Sequence, residues 1–176
     1  MDELAILRGQ IATERRHLIA VKGACRAALP AARQTTGADE FARIAGDYLQ
    51  HIGRRMLAQD HAHVVLLRPR LAAGDVASHR LLDELEATLG QLRTALQALE
   101  TGTDRIAGLF DYLDFIDSVM AKRRHALEPL LAAHYSIEDW RAAAFVDADS
   151  ILEERERYAA CRAAAPAGAF APEGET

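Results

Sequence analysis

Aromatic residues make up only 6% of this 176-residue chain, which has a single tryptophan. With so few strand-favouring aromatics, and with Ala, Leu, Arg and Glu abundant, the composition favours helix over sheet. Cysteine occurs twice, at Cys25 and Cys161, with no CxxC spacing. The pair reads as packed or surface thiols in a reducing compartment. Nowhere do 18 apolar residues follow one another, so no membrane partner is expected. The N-terminus, MDELAILRGQ, is charged from its second residue and lacks an apolar signal-peptide run; the expected location is cytoplasmic. Excess positive charge is missing too. The net charge of -5 and pI near 5.8 argue against a nucleic-acid partner. Lys122-Arg123-Arg124-His125 is the one basic cluster and reads as a partly solvated helix face.

The chain does have apolar residues at helical spacing along most of its length, and its size suits one domain. The first stripe is Leu4, Leu7, Ile11, Leu18, Val21, Cys25 and Leu29, stopping at Pro30 before a polar loop over 31–38. The second is Phe41, Ala45, Tyr48, Ile52, Met56, His63 and Leu67, ending near Pro69. Gly74 and Asp75 then mark a turn with a helix cap. Leu82, Leu85, Leu89, Leu92, Leu96 and Leu99 form the third stripe, broken at Thr101-Gly102-Thr103-Asp104. Leu109, Leu113, Ile116, Met120, Leu127 and Leu130 form the fourth, which reaches His134. Ser136 and Asp139 look like a capping box opening a fifth helix from about Ile137 to Arg162. Residues 164–176 read as a disordered tail.

Four long amphipathic helices with short connections imply an all-α, up-down-up-down four-helix bundle over 1–135. An additional C-terminal helix over 136–163 packs on it. Trp140, Phe145, Ile151 and Tyr158 of this last segment either cap the bundle end or pair with a second subunit as a homodimer. Its acidic run, Asp147, Asp149, Glu153 and Glu154, reads as a solvated helix face; the spacing is not that of an EF-hand.

Two helix endings carry a family resemblance. One is Val64-Val65-Leu66-Leu67-Arg68-Pro69-Arg70-Leu71. The other is Glu128-Pro129-Leu130-Leu131-Ala132-Ala133-His134-Tyr135-Ser136-Ile137-Glu138-Asp139-Trp140. With Glu14-Arg15-Arg16 and Leu82-Asp83-Glu84-Leu85-Glu86, this resembles the bacterial hemerythrin-like (HHE cation-binding) proteins over about residues 1–140. The resemblance implies a non-heme di-iron centre in the bundle, held by histidines from helices 1 and 3 and by His-x-x-x-Glu pairs from helices 2 and 4. An i, i+4 pair sets both ligands on one helix face, and imidazole with carboxylate suits iron.

Aligned on the two prolines, those ligand positions fall on Arg15, Gln59, His63, Leu89, Val119 and Arg123, with Asp60 beside the helix 2 pair. His63 alone is a plausible ligand, standing where a carboxylate belongs. A cation about 4 Å from iron opposes metal binding by several kcal/mol at an effective dielectric of about 20. The expectation is therefore a decayed metal site with no cofactor in a small-anion binding or interaction protein; the alternative is a non-heme di-iron protein acting on O2, NO or peroxide through a non-standard ligand set, His17, His61, His63 and His125. Against that alternative, His61 and His63 are separated by about 200° around a helix.

Each of these positions falls on or beside its helix's apolar stripe, so polar groups enter the core at one level. Buried Arg15 and Arg123 need partners, and Glu14, Asp60, Gln59 and His63 are at hand. Two readings follow. One is a structural ion-pair network. The other is a site for a small anion on Arg15, Gln59, Asp60, His63 and Arg123, with His63 as a general acid or base. No nucleophile triad, P-loop or dinucleotide motif names a reaction.

Overall fold

The computed structural model describes residues 3–32, 38–144 and 147–170; for 31, 32, 38 and 120–125 it describes the backbone alone. Among the described residues there are six α-helices, one 3-10 turn and no strand. The helices are α1 (Glu3–Ala32), α2 (Ala38–Leu67), α3 (Val76–Thr101), α4 (Arg105–His134), α5 (Ile137–Ala144) and α6 (Ala148–Ala164). The 3-10 turn, Arg68–Arg70, follows α2 directly. No described helix is long and apolar enough to cross a membrane.

Sequence punctuation sets most of these boundaries. The Asp75 carboxylate accepts from the Ser78 N–H at 3.1 Å to start α3, and Asp104 does the same for Ala107 at 3.0 Å to start α4. Pro69 stops α2 at the 3-10 turn. The predicted capping box is formed at the start of α5: Ser136 N–H donates to Asp139 at 2.8 Å, and Asp139 N–H donates back to the Ser136 hydroxyl at 3.3 Å. Arg70 clamps the same carboxylate through two bonds of 2.5 Å, tying the 3-10 turn to α5.

Three expectations fail. Pro30 does not end α1, which runs on to Ala32; a proline this close to the C-terminus forfeits little helical bonding. The expected fifth helix is two helices, α5 and α6. Asp147 opens α6 by accepting from Ser150 N–H at 2.7 Å. The expected tail from 164 is also corrected. Ala164, Ala165, Ala169 and Phe170 pack against the core, and the Phe170 ring meets Tyr158 edge-on at 6.1 Å. Residues 171–176 lie outside the described ones.

Helix α2 is the hub: it packs against every other helix and the 3-10 turn. Its N-terminal two-thirds contributes Phe41, Ala45, Tyr48, Leu49, Ile52 and Met56 to one apolar core. That core is shared with α1, α3, α4 and Cys161 of α6. Its last turn contributes Leu67 to a second core with Leu71, Leu82, Leu127 and Leu131. Between the two cores α2 buries polar side chains: Gln59, Asp60 and His63. Close helix packing depends on Gly53. A Cβ there would lie 2.2 Å from the Tyr112 hydroxyl and 2.6 Å from a Leu96 methyl, so α3 and α4 approach through the missing side chain.

Candidate functional site

The predicted polar layer is present on α2, but its members do not converge on one point. The Gln59 amide donates to the Ala144 carbonyl at 2.7 Å, anchoring the end of α5. His63 Nδ1 lies 2.7 Å from the Tyr135 hydroxyl, and its ring sits among Tyr135 and Trp140. The Arg8 guanidinium lies over the Trp140 ring, 5.3 Å from its centroid. Trp140 thus packs on this chain's own Tyr135, His63 and Arg8; Phe145 lies outside the described residues. Asp60 is buried as well.

Arg15 is the correction. Its side chain is exposed, whereas the neighbouring Glu14 turns inward and is buried. The cation that enters is Arg55, on α2, outside the positions that the resemblance marks. It pairs with Glu14 at 3.0 Å, and both side chains are about nine-tenths buried (12% and 10% exposed). Burial raises the Glu14 carboxyl above its ordinary value while the Arg55 guanidinium opposes the shift. Arg15, Glu14, Arg55 and Gln59 line a crevice of about 30 Å³, room for about one water. The side chains of Arg123 and His125 lie outside the described residues.

The described side chains do not supply the donors of the di-iron centre that the resemblance implies. Where the resemblance would put the helix 3 ligand and the first helix 4 ligand stand Leu89 and Val119, both apolar and buried. Gln59 is committed to a backbone carbonyl. Nor do the alternative histidines gather: His17 bonds to Glu154, His63 to Tyr135, and His61 is exposed. Among the described residues no three His, Cys, Asp or Glu side chains form a group able to hold a metal. Cys25 and Cys161 are buried, and burial pushes both thiols up to about 12, which keeps them protonated and unreactive.

The chemistry-bearing groups meet elsewhere, where α6 lies on α1 and α2. Glu154 is fully buried. It accepts from the Tyr48 hydroxyl at 3.0 Å and faces His17 Nδ1 at 2.9 Å. Burial, with this carboxylate alongside, pushes the Tyr48 phenol far above its usual value and fixes it as a donor. His17 stacks on Tyr158 with ring centroids 3.9 Å apart. Such a network satisfies its buried members and locks α6 in place.

Beside this network a cleft of about 390 Å³ opens between α2 and α6, within the size range of small-molecule sites. Asp47, Gln50, His51, Arg54, Arg55, Ala58, Ser150 and Arg157 line it, and each of the three guanidiniums is paired with a carboxylate: Arg54 with Glu100, Arg55 with Glu14 and Arg157 with Glu153. Their pairings leave the floor ordered. Arg157 is held by Glu153 at 2.8 Å, Arg54 by Glu100 at 3.1 Å, and Arg55 donates to the Ser150 carbonyl at 3.3 Å. His51 Nδ1 lies 3.5 Å from Glu153, and its Nε2 is buried without a hydrogen-bond partner among the described residues. Burial depresses the His51 pKa and keeps the ring neutral near pH 7.

The signal for this site was present in the sequence. Glu154 corrects the expectation of a solvated acidic face, because it is fully buried; Ile151, Glu154, Tyr158 and Cys161 fall at 3-4-3 spacing on one helix face, a pattern that marks Glu154 as interrupting an apolar stripe. No protein-family model matches the sequence, and comparisons with curated proteins and with solved structures return no match either.

Proposed function

We propose that this chain binds a small anion in the cleft between α2 and α6. The observation that carries the reading is Arg54, Arg55 and Arg157 gathered around a space of ligand size. Guanidiniums are weakly hydrated and present forked donors, which suits carboxylate or phosphate oxygens. The polar layer at Gln59 and His63 supports a structural role by contrast, since its groups already bond to Ala144 and Tyr135.

The same reading takes the chain as a hemerythrin-like relative whose di-iron ligands have been replaced. Its first four helices would run up-down-up-down, extended by α5 and α6. Support comes from the sequential packing of α1 on α2, α2 on α3 and α3 on α4, and from Arg15, Leu89, Val119 and Arg123 at the positions the resemblance gives to ligands.

Thermal unfolding with small carboxylates and phosphate at constant ionic strength tests the binding claim. At a ligand concentration of about 100 times Kd, binding stabilises by about 2.7 kcal/mol, or about 5 to 10 °C in Tm for a chain of this size. Arg157→Ala should reduce that shift. An equal shift in wild type and variant, or none with any anion, would contradict the assignment.

A further inference from the structure

The Glu154 network uses one nitrogen of His17 and leaves the other open. Nδ1 faces the buried carboxylate at 2.9 Å, and Tyr158 covers one face of the ring. The side chain is nonetheless 21% exposed. Nε2 makes no hydrogen bond, and it is not among the buried polar atoms that lack one, so it meets solvent. The ring therefore crosses the boundary of the fold, with one nitrogen inside and one outside.

A carboxylate at Nδ1 fixes the tautomer with its proton on that nitrogen. Nε2 then carries the lone pair, on a ring whose orientation Glu154 and Tyr158 hold. The same carboxylate offsets the positive charge that the ring gains when Nε2 forms a bond. Burial and the Tyr48 hydroxyl, donating at 3.0 Å, keep Glu154 in position for this. Outside, Thr13 stands one turn before His17 on the same helix face, and the Arg16 guanidinium donates to its hydroxyl at 2.9 Å. Arg16 forms no ion pair among the described residues, so its charge is available at the turn toward which the His17 ring leans.

We propose that His17 is a phosphoryl-acceptor site, modified at Nε2 by donors whose leaving group is a nitrogen or a carboxylate. Phosphoryl transfer needs an aligned nucleophile and a nearby cation more than an enclosing pocket, which suits a nitrogen at the surface. With phosphoramidate as donor, the Nε2 lone pair forms the new P–N bond as the old one breaks. Ammonia leaves with the bonding electrons. The Nδ1 proton stays on the ring, against Glu154.

Treatment of the full chain with phosphoramidate at about pH 8, where an ordinary imidazole is neutral, tests this. Peptide mapping locates the label among the seven histidines, and phosphorus NMR distinguishes the two ring isomers. His17 should be labelled about tenfold faster than the exposed His61, since the bond to Glu154 strengthens as the ring becomes charged. The label at His17 should be the Nε2 isomer alone. Glu154→Gln should bring the His17 rate down to that of His61 and leave His61 unchanged. Labelling of His61 ahead of His17, an Nδ1 isomer at His17, or an unchanged rate in folded Glu154→Gln overturns the proposal. The wild-type map decides it without any variant, and anion binding in the cleft stands or falls separately.

Discussion

His17 of α1 and Tyr158 of α6 lie face to face, their rings 3.9 Å apart and 7° from parallel. The stacked imidazole presents Nδ1 to the buried Glu154 carboxylate, which also takes the Tyr48 hydroxyl. Three helices are therefore joined through one carboxylate. Glu154→Ala would leave the Tyr48 hydroxyl and the inner face of His17 without partners, a loss of about 2 to 4 kcal/mol. Glu154→Gln keeps an acceptor and should lose less than half as much. Urea unfolding of the two variants checks this; equal losses would mean that the carboxylate only fills space.

Two glycines should respond in opposite directions to the same change. Gly90 lies on the open face of α3 with nothing near its missing side chain, so Gly90→Ala should stabilise by about 1 kcal/mol through helix propensity. Gly53→Ala gains the same propensity but drives a methyl into the Tyr112 hydroxyl and Leu96, both buried. Overpacking costs about 1 to 3 kcal/mol, so the net effect should be destabilising. Denaturant midpoints for the pair give the comparison directly.

Acid should weaken the fold in two separate windows. Burial holds the His51 pKa below its ordinary 6.5 in the folded chain. As pH falls from 6.5 toward that lower value, the unfolded chain takes up the proton first and stability is lost. His51→Leu should flatten this window. The Arg70 bonds, with the Ser136 cap, hold Asp139 far below its ordinary 3.8. Its contribution is complete above 3.8 and disappears as pH falls through the folded value, and Asp139→Asn should remove that slope. Glu14 acts in the opposite sense. Its folded pKa is raised above 4.5, so the folded chain gains a proton first on acidification and stability rises as pH falls through that raised value toward 4.5. Stability measured against pH for the wild type and the two variants would separate these contributions.

The sequence shows the helices and their ends because the determinants are local. Asp75, Asp104 and the Ser136–Asp139 pair cap the very turns they precede. The leucines of α3 mark its buried face without outside information. What it does not show is which of two neighbouring polar residues turns inward. Glu14 and Arg15 differ by about 100° on the helix, and the family alignment selected Arg15 where packing selects Glu14. Glu154 shares one face of α6 with Ile151, Tyr158 and Cys161, but it stands in an acidic run with Asp147, Asp149 and Glu153, and that local charge favours a solvated face until packing on α1 and α2 is known.

An NMR titration with inorganic phosphate, followed at backbone amides, tests the account most directly because it locates the ligand as well as detecting it. Shift changes should concentrate in α2 from Asp47 to Ala58 and in α6 from Ser150 to Arg157, the walls of the cleft. Changes centred instead on Gln59, His63 and Tyr135, or no changes at saturating phosphate, would contradict it.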